Sequence, residues 1–204
     1  MKPGDYLFLQ FTHNDSKADW PQTHVEPERT FKAWLRVYIA EVQRRGATSV
    51  LITSMDRGDH KTGAPLYGHG LYPQAVHEVA REEHIPLIDL YAMSTVLYNA
   101  AGRDAPGILA DGTHSTVYGG YEFAKCILLG IRDNHLDLAD FIVDDFGGFD
   151  PARPDSSTDL NLAPLFTGLP GKRVTPTPAD LRGAKRLLSW RKPTSFFACS
   201  SIVA

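Results

Sequence analysis

Apolar residues along this chain fall alternately into short runs and helical periods. Tyr6-Leu7-Phe8-Leu9-Gln10-Phe11 follows the turn signal Met1-Lys2-Pro3-Gly4-Asp5 and is apolar on both faces, as a strand inside a parallel sheet must be. A polar stretch over 12–22 leads to Pro27 at a first helical position. Phe31, Trp34, Leu35, Tyr38 and Val42 then recur at helical spacing, and Gly46 is a stop signal. Ser49-Val50-Leu51-Ile52-Thr53-Ser54 reads as a second buried strand, and 55–70 as a long polar, glycine-rich loop. Pro73 opens a helix carrying Val76, Val79 and Ala80. His84-Ile85-Pro86-Leu87-Ile88-Asp89-Leu90 gives a third strand and 91–101 a further helix. The last helix carries Tyr121, Phe123, Ala124, Ile127, Leu128 and Ile131, preceded by a loop with Asp111-Gly112-Thr113-His114. This alternation predicts an α/β fold with a parallel sheet covered by helices on both faces.

The texture changes at Asp144. Asp144-Asp145-Phe146-Gly147-Gly148-Phe149-Asp150-Pro151 begins a stretch rich in Pro, Ser, Thr and Asp, which reads as an irregular surface extension. The chain thus divides into a domain over 1–143 and an extension over 144–204. Within the extension, 181–190 suits a short basic helix, and the apolar run Phe196-Phe197-Ala198-Cys199 has no periodicity to classify it.

Composition narrows the function classes. Lys and Arg number 21 against 24 Asp and Glu, a formal charge of −3, so the basic surplus of a nucleic-acid-binding protein is missing. No run approaches the ~18 apolar residues of a membrane span. Two cysteines, Cys126 and Cys199, make neither a disulfide framework nor a thiolate zinc site. A secretory signal is not visible, and the compartment stays open.

In open parallel α/β sheets, ligands gather beyond the carboxyl ends of the strands. Three polar clusters fall there: Thr12-His13-Asn14-Asp15, Asp56-Arg57-Gly58-Asp59-His60 and Asp111-Gly112-Thr113-His114. A carboxylate three residues before an imidazole in a turn can accept one ring N–H, fix the tautomer and support the imidazolium that forms on proton uptake. Asp111 and His114 are therefore a candidate orienter and base. The same residues also suit a helix cap followed by a surface histidine. Asn14 offers a side-chain N–H₂ of the kind that stabilises an oxyanion, or serves as an ordinary turn residue.

Phe8-Leu9-Gln10-Phe11-Thr12-His13-Asn14-Asp15 resembles the third sequence block, G-x-N-D, of the SGNH (GDSL) hydrolases, and Asp111-Gly112-Thr113-His114 resembles their fifth, D-x-x-H. Gly70-Leu71-Tyr72-Pro73-Gln74-Ala75-Val76 and Pro86-Leu87-Ile88-Asp89-Leu90 are similar to the rhamnogalacturonan acetylesterase branch. The likeness runs from about Lys2 to Asn134, and more loosely through Gly147-Gly148-Phe149. Two blocks in order, roughly 100 residues apart, are far more specific together than either alone.

The resemblance implies a flavodoxin-like, three-layer αβα sandwich with sheet order 2-1-3-4-5. It implies a Ser-His-Asp esterase without cofactor or metal, acting on acetylated oligo- or polysaccharide. Family members are often exported. It makes His114 the general base, Asp111 its partner and Asn14 an oxyanion donor.

Two departures stand out. Thr12 replaces the third-block glycine, a position where φ > 0 would be costly for a β-branched residue. No G-D-S block exists, since Gly4-Asp5 is followed by Tyr6 and Gly58-Asp59 by His60. The family's first two strands and nucleophile therefore read as missing. Ser54, Ser16 and Ser115 are the nearby serines, each suited to a loop or cap. An inactive chain that self-associates through an exposed sheet edge is the resulting expectation.

Two further readings compete. One is a metal-dependent hydrolase with ligands among His13, Asp15, His60, His69, Asp111 and His114. The other is a non-catalytic carbohydrate-binding remnant, with Trp20, Tyr67 and Tyr72 as stacking candidates.

Overall fold

A computed structural model describes residues 1–59, 61–158, 160 and 197–199, the last three as a strand backbone. The helix read at 181–190 lies outside the described residues, as does His60. The elements are β1 (Tyr6–Leu9), α1 (Lys32–Arg44), β2 (Thr48–Ile52), α2 (Tyr72–Glu82), β3 (Leu87–Ile88), α3 (Leu90–Ala100), α4 (Val117–Asp133) and β4 (Phe197–Cys199). Among the described residues these four strands pair in parallel, in the order β3-β2-β1-β4.

The period-two alternation of strand side chains sorts the core into two layers. Leu7, Leu9 and Leu51 pack with Leu35, Ile39 and Val42 of α1 and with Val76 and Val79 of α2. Val50, Ile52 and Ile88 face the other way, toward Leu97 of α3 and Phe123 and Cys126 of α4. β2 is apolar on both faces because both are covered, which gives the three-layer sandwich.

Local chemistry sets the boundaries. α1 is preceded by one wide turn, Pro27–Phe31, whose entry is capped by Glu26 accepting from the backbone N–H groups of Glu28 and Arg29 at 2.7 and 2.8 Å. Gly46, at φ +68°, ends it. The third strand is shorter than the expected 84–90. His84 turns left-handed at φ +55° after α2, and Asp89 caps α3 by accepting from the Ala92 N–H at 3.1 Å, which draws Leu90 into the helix. On α4, a Cβ at Gly130 would lie 2.6 Å from Ile88 Cγ2, and one at Gly119 2.0 Å from the Ile108 carbonyl oxygen. Glycine lets this helix lie directly on the sheet and on the loop before it.

The sheet edge along β1 differs from expectation. β4 pairs with it in register Leu7↔Phe197, Phe8↔Ala198, Leu9↔Cys199. The run with no assigned role is thus a strand from the far end of the chain, and it covers the edge expected to be open. Part of the stretch read as an extension also packs on α4: Lys125 Nζ lies 2.8 Å from Asp155 Oδ2, and Tyr118 donates to the Asp155 carbonyl at 2.8 Å. Among the described residues, no helix is long and apolar enough to cross a membrane.

Candidate active site

β1 and β2 run parallel, so the segments leaving them emerge on one side of the sheet. The segment after β1 makes a tight turn, with the Ser16 N–H donating to the Thr12 carbonyl at 2.8 Å. Asn14 Oδ1 accepts from Lys17 Nζ at 2.9 Å. This geometry directs the amide oxygen to Lys17 and leaves the N–H₂ as the donor end of Asn14.

Thr12 is buried and sits at φ +153°, the half of conformational space that β-branched residues avoid. The departure from glycine therefore stores backbone strain at the turn that presents Asn14, a cost of order 1–3 kcal/mol. Thr12→Gly relieves it but loses a buried side chain and gains unfolded-state entropy. We expect a net stability change between zero and about +2 kcal/mol, read from urea unfolding midpoints at constant m-value.

The segment after β2 is organised by Asp56, which is fully buried. Its carboxylate accepts from the backbone N–H groups of Arg57, Tyr67 and Gly68 at 2.9, 2.6 and 3.0 Å, so both ends of the long loop fold onto one side chain. Arg57 Nη2 donates to the His13 carbonyl at 2.5 Å, tying this loop to the Asn14 turn. The Gly58 N–H donates to the Gly112 carbonyl at 3.1 Å, tying it to the loop that carries His114. Gly112, at φ +84°, fits there only without a side chain, because a Cβ would lie 2.6 Å from the Gly58 carbonyl oxygen. One loop thus bridges the two motif segments.

Asp111 closes an Asx turn. Oδ1 accepts from the Thr113 and His114 N–H groups at 3.0 and 2.8 Å, while Oδ2 lies 2.7 Å from His114 Nδ1. Those backbone donors, with the imidazole beside them, hold the carboxyl down to about 2. Nδ1 therefore carries the proton that faces the carboxylate, and Nε2 is left as the proton acceptor. Helix capping falls to another residue: Thr116 Oγ1 accepts from the Gly119 N–H at 3.0 Å. His114 is an exposed side chain at 79%, open to a substrate.

The other sequence candidates are placed as follows. Ser54 is buried and donates to the Phe11 carbonyl at 3.1 Å. Ser16 donates to the His13 carbonyl at 3.3 Å. Ser115 Oγ lies 3.7 Å from where a Cβ on Gly120 would stand, against the first turn of α4. Tyr72 is core, its hydroxyl placed between the Asp15 and Val25 carbonyls at 2.8 and 2.7 Å, which removes it as a stacking platform; Trp20 and Tyr67 are exposed. Among the described residues, no three His, Cys, Asp or Glu side chains gather as a metal ion requires.

His13 and His69 both bring Nε2 to the Met55 carbonyl, at 3.1 and 2.9 Å, with ring centroids 4.7 Å apart. Sequence reading missed this pairing, because 56 positions along the chain separate two ordinary-looking histidines. Burial, then the neighbouring His69, pushes His13 down to about 4; burial likewise lowers His69. A base whose folded-state pKa lies below its unfolded value binds fewer protons when folded. Stability is thus greatest above pH 6.5 and is lost as pH falls toward about 4. Thermal melts across this range should show the loss, and His13→Gln should flatten it.

No family model matches the chain. It is 34% identical over 151 residues to the probable rhamnogalacturonan acetylesterase YesY of Bacillus subtilis (strain 168), covering 70% of this chain and 69% of YesY. This chain belongs to the SGNH hydrolases, in the rhamnogalacturonan acetylesterase-like branch. RhgT, a rhamnogalacturonan acetylesterase of the same organism, is 32% identical over 157 residues, covering 69% of this chain and 66% of RhgT. The solved structure of B. subtilis YxiM superposes with TM-score 0.57 at 25% identity, over 67% of this chain and 39% of that one. Axe2, an acetylxylan esterase from Geobacillus stearothermophilus, has TM-score 0.50 at 20% identity, over 74% of this chain and 63% of its own, and supports the fold alone. This SGNH hydrolase chain thus spans about two thirds of the length of its two acetylesterase relatives.

Proposed function

We propose that this SGNH hydrolase is a carbohydrate esterase that removes acetyl groups from rhamnogalacturonan-type polysaccharide. The observation that carries the chemistry is the Asp111–His114 pair, at 2.7 Å, on a loop tied through Gly58 and Arg57 to the turn bearing Asn14. His114 is the general base, Asp111 fixes its tautomer, and Asn14 donates to the oxyanion. The substrate class is supported by YesY and RhgT, whose names give that activity.

Acetate release by the full chain from acetylated rhamnogalacturonan fragments, against acetylxylan and p-nitrophenyl acetate, tests this reading. Turnover fastest on the rhamnogalacturonan fragments is the expected result. Calorimetric binding of those fragments without acetate release would instead support the non-catalytic carbohydrate-binding reading. Self-association, if it occurs, runs through an outer strand of the described sheet, β3 or β4, rather than through β1. Sedimentation velocity over a concentration series measures it.

A further inference from the structure

The turn that carries Asn14 also carries positive charge that the acyl-transfer chemistry does not use. Lys17 is half-buried, and its ammonium is held from two sides. It donates to Asn14 Oδ1 at 2.9 Å and lies 5.2 Å from the centre of the Trp20 ring. Arg57 approaches the same turn from the loop after β2, with Nη2 donating to the His13 carbonyl at 2.5 Å and reaching Ser16 Oγ at 3.5 Å. Among the described residues neither cation has a carboxylate partner, whereas Lys32, Arg36, Arg44, Arg45 and Lys125 all do. Asp15 and Asp19 lie close in sequence but pair with neither, and burial raises the Asp15 carboxyl. A chain with a formal charge of −3 therefore concentrates unpaired positive charge beside its oxyanion donor, which is the electrostatic form of an anion site. Burial is the largest cause that lowers His13, but the charges of Arg57 and His114 also reach it, so this turn lies within range of the base.

Reach selects the anion. An ammonium has three donors, and Lys17 gives one of them to Asn14. Its Nζ stands no more than about 8 Å from an oxygen bound by the Asn14 N–H₂. That is roughly the span of one pyranose ring, from an acetyl carbonyl on a ring hydroxyl to a carboxylate on the same sugar. Rhamnogalacturonan alternates a neutral deoxy-sugar with a uronic acid, whereas a xylan backbone is neutral.

We propose that Lys17, supported by Arg57, is the specificity-determining residue of this site and binds the carboxylate of a uronate in the acetylated substrate. This rests on the esterase reading above and deepens it, since it names the feature of the polysaccharide that is recognised. Trp20 fixes the ammonium from one side and Asn14 from the other, so the charge is placed before the substrate arrives. The same lysine orients the Asn14 amide, which couples uronate binding to the donor at the acetyl group.

The test compares acetate release from acetylated rhamnogalacturonan fragments with release from the same fragments after methyl esterification of their carboxyl groups. The wild-type chain should favour the acidic fragments by about 10–100-fold in kcat/KM, the worth of a charge-assisted hydrogen bond, with most of the difference in KM. Lys17→Gln keeps a donor for Asn14 Oδ1 but not the charge, and the preference should collapse toward unity. Any change in rate that acts through Asn14 cancels in this ratio. Lys17→Arg keeps the charge and should keep the preference. A wild-type chain without preference overturns the proposal, as does Lys17→Gln with the wild-type ratio or Lys17→Arg without it.

Calorimetry with unacetylated galacturonate oligomers needs neither ester nor turnover. Binding to the wild-type chain should weaken as salt is raised and be lost in Lys17→Gln; no binding, or binding indifferent to salt, overturns the subsite even if the variants misfold. The two readings fail separately. Lys17-dependent binding of the oligomers without acetate release from any polysaccharide defeats the esterase reading alone. Equal acetate release from acidic and methyl-esterified fragments defeats the uronate subsite alone.

Discussion

Replacing His114 by alanine is expected to lower kcat/KM for acetyl-ester hydrolysis by at least about 10³-fold, since no other described group stands ready to take the nucleophile's proton. Folding should be unaffected, because the side chain is exposed at 79% and its ring bonds to Asp111 on the same turn. Asp111→Asn is the more informative companion. It preserves an Oδ1 acceptor for the Thr113 and His114 N–H groups, but can present an N–H₂ to Nδ1, which favours the wrong tautomer. Loss of about 10²–10⁴-fold in kcat with KM little changed is the expected signature. Asn14→Ala should cost about 10²–10³-fold in kcat. Asp111 is held down to about 2, so its folded-state pKa is depressed and it stays ionised until strongly acidic pH. Its support of His114 is therefore present above the ordinary carboxylate range and lost only as pH falls toward 2. A rate profile whose acid limb moved with Asp111→Glu at pH 5 would contradict this.

Lys125→Met is expected to be the most destabilising of the side-chain changes considered, by roughly 3–5 kcal/mol. Glu122 is fully buried within α4, and its carboxylate lies 2.8 Å from Lys125 Nζ. Burial raises its pKa, which Lys125 opposes. Lys125 also reaches Asp155 at 2.8 Å and lies over the Tyr121 and Phe149 rings. Removing the ammonium strands a buried carboxylate without its counter-charge, while methionine keeps most of the packed stem. At about 2–4 °C per kcal/mol for a domain this size, the melting temperature should fall by roughly 6–20 °C. Adding Glu122→Gln removes the stranded charge and should recover more than half of the loss. A double variant no better than Lys125→Met would show that the cost lies in the aromatic and Asp155 contacts instead.

The site was legible where spacing alone fixes geometry. Three residues from Asp111 to His114 are enough for a turn that closes carboxylate on imidazole, and the structure shows that turn. Thr12 was readable as a misfit, and its φ of +153° shows why. The bridge through Arg57 and Gly58 was not legible, since its partners are backbone carbonyls of His13 and Gly112, and a carbonyl has no sequence signature. The His13–His69 pairing was hidden for the same reason: it is defined by a shared carbonyl.

By itself the sequence determined the α/β class, the parallel sheet between two helical layers and the Asp-x-x-His pair, because each follows from local period or local spacing. Burial on both faces marks a strand such as 49–54 whatever it pairs with. Tertiary structure decided which loops meet, which serines are spent in structural hydrogen bonds and what covers β1. The last point could not be read from the chain, because a parallel ladder leaves no trace of its partner in either strand. Two runs almost 200 positions apart adjoin only because the fold brings their backbones together.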